Sequence, residues 1–378
     1  MINIKVATSN IRGFLKNLFD CDSEVLRFHY CSDVVYEISN KKREIFARLI
    51  KLKIFDYLGV FRVIKINVDD DASFSYNRFL KTNKPYVIYL ENPSALVNYC
   101  WDRPKHFIAK RKLEKCFNEK NLHAIVCMSK ACCKSIRSLY SIPDDLHLCQ
   151  VYPYVPDDEK YGVSNIKKNV YGDLMECLYI SSEFDLKGGC DILQAFKLCD
   201  SEKIHLTIIT KSSCLTYEEK NLIKQLPNIE LVEFNLDKNT LNEYYKKASI
   251  LLNPTRFDSF SLVTLEALKY GCAVLATDMY AIREMVHEDY NGYLHEPMYK
   301  VWNDDGIMNK KYRIHRKKTV YSGKIDQDMV DWIAHKLKYL NSNRNKLYEL
   351  CCNSLNLARG DEFSGKEILQ KWEEIYIR

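Results

Sequence analysis

The chain has no run of 18 consecutive apolar residues, so no segment reads as a membrane-spanning helix. Its opening, MINIKVATSNIRG, lacks the charged-then-apolar layout of a secretory signal and reads as a buried strand followed by a loop. The expected location is the cytoplasm. No C-x-x-C occurs among the 15 cysteines, and the adjacent pairs Cys132/Cys133 and Cys351/Cys352 have poor spacing for zinc. Most of the other cysteines lie in apolar stretches, such as Cys127 in AIVCMS and Cys272 in YGCAVLA, and are expected to pack as small reduced hydrophobes. Glycine is scarce, at 12 residues, and neither an internal repeat nor a low-complexity segment is visible. Collagen-like, disordered and disulfide-scaffold chains are thereby excluded.

The chain does have the composition of a globular protein, 47% hydrophobic and 28% charged. Its 378 residues suit two or three domains at roughly 150 residues each. The net charge of +6 is unevenly placed. Residues 1–160 carry 26 Lys+Arg and 19 Asp+Glu, whereas residues 161–378 carry 30 and 31. A basic first half without a nucleic-acid motif suits an anionic membrane surface or an anionic substrate better than duplex DNA.

Apolar strand-like runs occur at 3–8, 25–31, 60–66, 86–90, 123–128 and 147–151, with helical patterns at 40–57, 104–119 and 130–140. A second series begins at 176–181 and continues at 204–210, 229–234, 249–252, 273–276 and 292–295. Helices fit between its members at 187–200, 216–226, 238–248, 261–271 and 280–287. Such alternation predicts parallel sheets covered by helices. Two series predict two α/β domains, at 1–155 and 165–358, joined through the Pro-, Asp- and Lys-rich stretch 152–169. Residues 298–325, with Lys310, Lys311, Arg313, Arg316, Lys317 and Lys318, read as a basic excursion with few core positions. Helices are expected at about 326–340, 342–358 and 361–376.

The stretch PTRFDSFSLVTLEALKYGCAVLATD, residues 254–278, carries the most chemistry. It predicts a loop, then a helix from about Phe260–Ser261, between two strands. Free backbone N–H groups at Ser261, Leu262 and Val263, with the helix dipole, form an anion site. Asp258 precedes the helix and Glu266 follows eight positions later. Carboxylates are poor phosphate ligands but good acceptors for sugar hydroxyls. A phosphate flanked by two hydroxyl-bearing rings describes a nucleotide sugar.

This stretch resembles the E-x7-E signature of the retaining glycosyltransferases of family 4, with Asp258 in the first position and Glu266 in the second. Leu265-Glu266-Ala267, Gly271, Ala273–Thr277, Ile282-Arg283-Glu284-Met285-Val286 and Asn291-Gly292-Tyr293-Leu294 extend the resemblance. Upstream, Lys187-Gly188-Gly189 resembles the family's lysine-glycine on the donor diphosphate. Ser182 departs from the arginine often found five residues earlier, so Arg256, Lys211 or another residue would have to substitute. Leu231–Asn235 resembles the strand and turn near the donor base, and the last helix resembles one that crosses back to the first domain. The resemblance is specific over about 176–296 and topological over 1–155.

The resemblance implies a GT-B fold, two Rossmann-like domains facing across a cleft, the first binding the acceptor and the second a nucleoside diphosphate sugar. It assigns Lys187 and the start of the helix (Phe260, Ser261, Leu262, Val263) to the diphosphate, Asp258 to the sugar and Glu266 to the ribose. Arg256, Ser182, Gly188 and Asn235 complete the donor set, and no metal or other cofactor is required.

The first domain offers less. Its opening loop, Thr8 to Gly13, holds one glycine where the fold usually has several, and leaves Gly13 and Arg12 as candidates near the donor. Polar residues after a parallel strand face the ligand crevice. Glu91 and Asn92 therefore stand in for a histidine that many relatives carry, and Ser129 has a similar placement. Asp69-Asp70-Asp71 contains D-x-D, a metal motif of another glycosyltransferase fold, but reads better as a solvated acidic turn. KKREIFARLIKLKIFDYL (41–58) has the amphipathic, basic character of a surface helix or of a contact with anionic lipid. The resemblance thus implies sugar transfer to a glycan or lipid-linked acceptor at the inner face of a membrane, with cell-surface polysaccharide synthesis as the pathway. Ser182, the glycine-poor loop and the missing histidine also suit a non-catalytic protein of the same fold.

Overall fold

The computed structural model describes residues 1–8, 11–30, 49–199 and 202–378. They form two compact units. The first comprises Met1–Pro156, Asp304–Ile307 and Gly365–Arg378, and the second Asp157–Asn303 and Met308–Ser364. Among the described residues no helix is long and apolar enough to cross a membrane.

The first unit contains β1 (Ile2–Val6), α1 (Gly13–Phe19), β2 (Leu26–Tyr30), α2 (Lys53–Tyr57), β3 (Val63–Lys65), β4 (Ala72–Tyr76), β5 (Phe79–Lys81), β6 (Tyr86–Leu90), α3 (Phe107–Phe117), β7 (Leu122–Cys127), α4 (Lys130–Leu139) and β8 (His147–Gln150). Its main sheet is parallel in the order β2-β1-β4-β6-β7-β8. The strands of this sheet differ from the expected series in one respect. The run at 60–66 supplies β3, which pairs only with β5 in a separate two-stranded sheet, and the central position beside β1 belongs to β4. That strand, ASFSY, holds one large apolar residue, so its apolar pattern is weak. It is held by neighbours on both sides, and Phe74 is fully buried. Of the amphipathic stretch 41–58, residues 41–48 lie outside the described residues, as do Ser9 and Asn10 of the opening loop.

The second unit contains α5 (Val163–Val170), β9 (Met175–Ser181), α6 (Gly189–Cys199), β10 (Ile204–Thr210), α7 (Tyr217–Gln225), β11 (Ile229–Glu233), α8 (Lys238–Lys247), β12 (Ile250–Asn253), α9 (Leu262–Lys269), β13 (Ala273–Thr277), α10 (Ile282–Met285), β14 (Gly292–His295), α11 (Lys310–Ile314), α12 (Gln327–Ser342) and α13 (Arg344–Arg359). Its sheet is parallel in the order β11-β10-β9-β12-β13-β14. The inner strands are buried along nearly their whole length, as a sheet covered on both faces requires. Local caps agree with the fold. Thr216 and Glu219 form a reciprocal capping box on α7, and Asp237 accepts the N–H groups of Asn239 and Thr240 on α8.

The final helix, α14 (Gly365–Ile377), packs in the first unit. Trp372 is fully buried there, its ring 5.6 Å from Phe74 and 5.0 Å from Tyr89. Burying such a ring is worth roughly 2–3 kcal/mol of hydrophobic free energy. Fourteen of the cysteines are described, all as free thiols, and among them Cys214 is exposed. Burial pushes the Cys127, Cys177 and Cys272 thiols well above their usual range, consistent with inert core residues.

Candidate functional site

In the second unit the chain leaves β9 toward β10 on one side and leaves β12 toward β13 on the other. The loops beyond the carboxyl ends of β9 and β12 therefore diverge and open a crevice, the usual ligand position in such sheets. Residues 182–188 follow β9, and residues 254–261 follow β12.

Gly188 joins these two loops. Its φ is +73°, and a Cβ there would lie 2.1 Å from the Pro254 carbonyl oxygen. Both the left-handed backbone and the close approach require glycine. Arg256 N–H donates to the Leu186 carbonyl at 3.0 Å, closing the junction. Lys187 is thereby aimed at the second loop. Its Nζ donates to Asp258 Oδ2 at 2.6 Å and to the Phe257 carbonyl at 2.9 Å.

Asp258 has a second task. Its Oδ1 accepts the backbone N–H groups of Ser259, Phe260 and Ser261 at 2.8, 3.2 and 3.1 Å. Burial alone would raise this carboxyl. The Lys187 ammonium and the backbone donors outweigh it and hold Asp258 below the usual carboxylate range.

The helix begins one residue later than expected, because Ser261 lies outside it with a left-handed φ of +71°. Its hydroxyl bonds Asn253 and Thr264 rather than capping a backbone group. The Ser261 N–H, expected at an anion, is taken by Asp258. Among the described residues nothing accepts the N–H groups of Leu262 and Val263, both half-buried, so two donors at the start of α9 are left for an anion. A left-handed non-glycine residue stores strain of order 1–3 kcal/mol, a cost concentrated at functional sites.

One turn into α9, Glu266 Oε2 accepts the Tyr245 phenol at 2.8 Å. Tyr245 is fully buried on α8 and was not singled out in the sequence, where its spacing reads as core. Burial raises the Glu266 carboxyl above its ordinary value, against the Tyr245 bond and the charge of Lys238. Among the described residues nothing donates to Oε1.

Arg256 is engaged through one nitrogen, Nη2, while its Nε and Nη1 are buried without an acceptor. Its guanidinium is buried and bonds both Asp191 oxygens at 3.0 Å and the Lys324 carbonyl. Asp191 is raised by burial, which exceeds the lowering by Arg256. Arg256 is thus a structural tie between α6 and the loop after β12. Lys211 is exposed beyond β10, Asn235 is exposed after β11, Phe260 is buried, and Ser182 is half-buried at the end of β9.

The excursion at 298–325 is more ordered than its composition suggests. Val301, Met308 and Val320 are buried. The segment meets the loop after β12 at three consecutive residues. Lys324 accepts Arg256, Arg316 lies over the Phe257 ring at 4.6 Å, and Trp302 Nε1 donates to the Asp258 carbonyl at 2.8 Å. Trp302 also stacks on Phe257 at 5.6 Å and meets Tyr280 at a tilt, with ring centroids 4.2 Å apart. A single tryptophan gives no periodic signal, so the sequence could not mark this contact.

In the first unit, Glu91 and Asn92 follow β6 and are buried. Glu91 accepts Tyr76 at 2.6 Å, Tyr99 at 2.7 Å and Asn92 at 3.4 Å, with Arg12 at 3.5 Å. All four donors converge on one carboxylate, whose lone pairs are thereby engaged. Burial raises both phenols, and the Glu91 charge adds to it. Gly13 starts α1 with open space around its α-carbon. Ser129 is buried and caps α4 by accepting the Cys132 N–H. Asp70 pairs with His29 and Asp71 accepts the Asn3 N–H, so the acidic turn serves the fold. Among the described residues the side chains that gather like metal ligands are Asp185, Cys190 and Glu219. Burial and the two carboxylates raise the Cys190 thiol, which donates to both.

Comparison with known proteins addresses the same region. Residues 176–301 match the family of glycosyl transferases group 1. An uncharacterised 41.2 kDa protein of the cps region of Klebsiella pneumoniae is 27% identical over 150 residues, 38% of this chain and 40% of that protein's length. Anabaena HepE, solved in complex with UDP-glucose, covers the whole of both chains at 13% identity with a TM-score of 0.60. Sucrose-phosphate synthase from Thermosynechococcus elongatus covers 100% of this chain and 98% of its own at 13% identity, also with a TM-score of 0.60. The chain therefore has the GT-B fold, and residues 176–301 of its second unit are similar to the group 1 glycosyl transferases.

Proposed function

We propose that the chain transfers a sugar from a nucleoside diphosphate sugar to an acceptor hydroxyl, retaining the anomeric configuration. The observation that carries this reading is the Lys187–Asp258 pair beside two uncommitted N–H donors, at the switch point of the second sheet. The task is to stabilise a departing diphosphate while positive charge builds on the sugar ring. Lys187 and the N–H groups of Leu262 and Val263 meet the diphosphate. Asp258 Oδ2 binds Lys187 and keeps a lone pair for a sugar hydroxyl. Glu266 Oε1 accepts a ribose hydroxyl. The positive partners on this path are protein groups, so the reading requires no metal.

The relative from a cps region favours surface-polysaccharide assembly as the setting, with a glycan or lipid-linked acceptor. Anionic membrane contact fits one face of the first unit. Ile54, Tyr57, Phe107 and Ile108 are 45–66% exposed, beside Lys51, Lys53, Lys105, Lys110, Arg111, Lys112 and Lys115. Exposed apolar residues ringed by cations suit a surface rich in anionic lipid.

The test is a thermal-shift screen with UDP, GDP, ADP, CDP and dTDP, each with Mg²⁺ and with EDTA. Stabilisation by one diphosphate in both conditions supports the reading and names the base. Stabilisation by none favours a non-catalytic GT-B protein that binds a partner or a glycan.

A further inference from the structure

The two cations named so far on the loops after β9 and β12 are already paired with carboxylates. Lys187 is paired with Asp258, and Arg256 is paired with Asp191. Each pair is formally neutral. A diphosphate brings two to three negative charges, so two neutral pairs and two backbone N–H groups leave it undercompensated.

Arg316 supplies what is missing. Its guanidinium lies 4.6 Å from the ring centroid of Phe257, whose own carbonyl takes Lys187 at 2.9 Å. Tyr321 lies at 6.0 Å on the same guanidinium. Among the described residues no ion pair involves Arg316, and its Nε is buried without an acceptor. The residue as a whole is half-buried, and of its three guanidinium nitrogens only Nε is among the buried atoms without a partner. Stacking on aromatic faces fixes the plane of the guanidinium, whose fork of donors matches phosphate oxygens. The segment that carries it is itself tied to the site through Trp302 and Asp258.

We propose that Arg316, from the excursion between β14 and α12, binds the diphosphate of the donor as a second cation beside Lys187. This rests on the donor-site reading above and assigns a residue outside the 254–266 signature to it. Arg316 is a binding residue, and the neutral Phe257 ring is its positioning surface.

The test compares wild type with Arg316→Ala and Arg316→Lys. Calorimetry measures UDP, GDP, ADP, CDP and dTDP, each against its monophosphate, and unfolding is followed by heat. The expected result is a loss of about 10- to 100-fold in diphosphate affinity for Arg316→Ala, with a much smaller loss for the monophosphate. Arg316→Lys should fall between, because it keeps charge without the fork. Equal losses for diphosphate and monophosphate, or a lowered melting temperature with unchanged affinities, would overturn the proposal in favour of a structural role. Unchanged diphosphate affinity in a wild type that binds would overturn it while leaving the donor-site reading intact. A wild type that binds none of UDP, GDP, ADP, CDP and dTDP at millimolar concentration overturns both.

Discussion

Replacing Lys187 by alanine separates the donor-site reading from a purely structural role for the Lys187–Asp258 pair. The ammonium makes two contacts, at 2.6 and 2.9 Å, and its side chain is 22% exposed, with Asp258 at 18%. Partly exposed pairs are screened and contribute about 1 kcal/mol or less to stability. Asp258 keeps its three backbone donors in the variant, so the loop should survive. The melting temperature should therefore fall by a few degrees at most. Catalysis should fall much further. A charge-assisted contact to the leaving diphosphate is worth about 2–3 kcal/mol, or roughly 30–150-fold in rate. The assay is turnover at limiting donor, with the same preparation measured for thermal unfolding. The pH dependence gives a second readout. Asp258 titrates below its ordinary value of 3.8, so its stabilisation is present above that value and is lost as pH falls through the folded one. Lys187→Ala should shrink this acid-side component. Full turnover at limiting donor would refute the reasoning, and so would a large loss of stability with turnover per folded molecule unchanged.

Gly188→Ala should destabilise the second unit by about 2–4 kcal/mol and depress nucleotide binding, read by urea unfolding and calorimetry; a neutral effect would contradict the 2.1 Å approach to Pro254. Glu266→Gln should trade affinity for stability. The raised carboxyl means that ionised Glu266 costs stability above its folded pKa, and the cost vanishes below the ordinary 4.5. The variant should melt higher than wild type at pH 7, converge with it near pH 4, and bind nucleoside diphosphate less tightly; a lower melting temperature at pH 7 would remove the burial argument. Arg256→Met should cost about 3–5 kcal/mol because it strands Asp191 in the interior, whereas Arg256→Met with Asp191→Leu should recover much of that, measured by denaturant melts.

Much of the second unit was legible because its signals are local. Continuous apolar runs such as ILLN and AVLAT lie in a sheet covered on both faces, and helices with caps such as Thr216/Glu219 lie between its strands. The first unit was harder. β4 is a serine-rich strand that pairing and burial hold in place, while the apolar run at 60–66 supplies the small outlying β3. Periodicity reports how a segment buries one face and not which strand it joins.

The donor region divides in the same way. Spacing along 254–266 and the Lys-Gly at 187–188 were enough to name an anion site with two carboxylates near it. Only the folded chain decided how those groups are used. Asp258 both holds Lys187 and caps the loop, Arg256 pairs with Asp191, and Tyr245 reaches Glu266 from another helix. The segment at 298–325 read as a basic excursion with few core positions because basic residues dominate its composition. Its Trp302 and Arg316 meet residues 257 and 258 from more than 40 positions away. Local backbone chemistry is written into neighbouring residues. The partner of a charged side chain depends on which distant segment the topology brings beside it, and that is settled only when the whole domain packs.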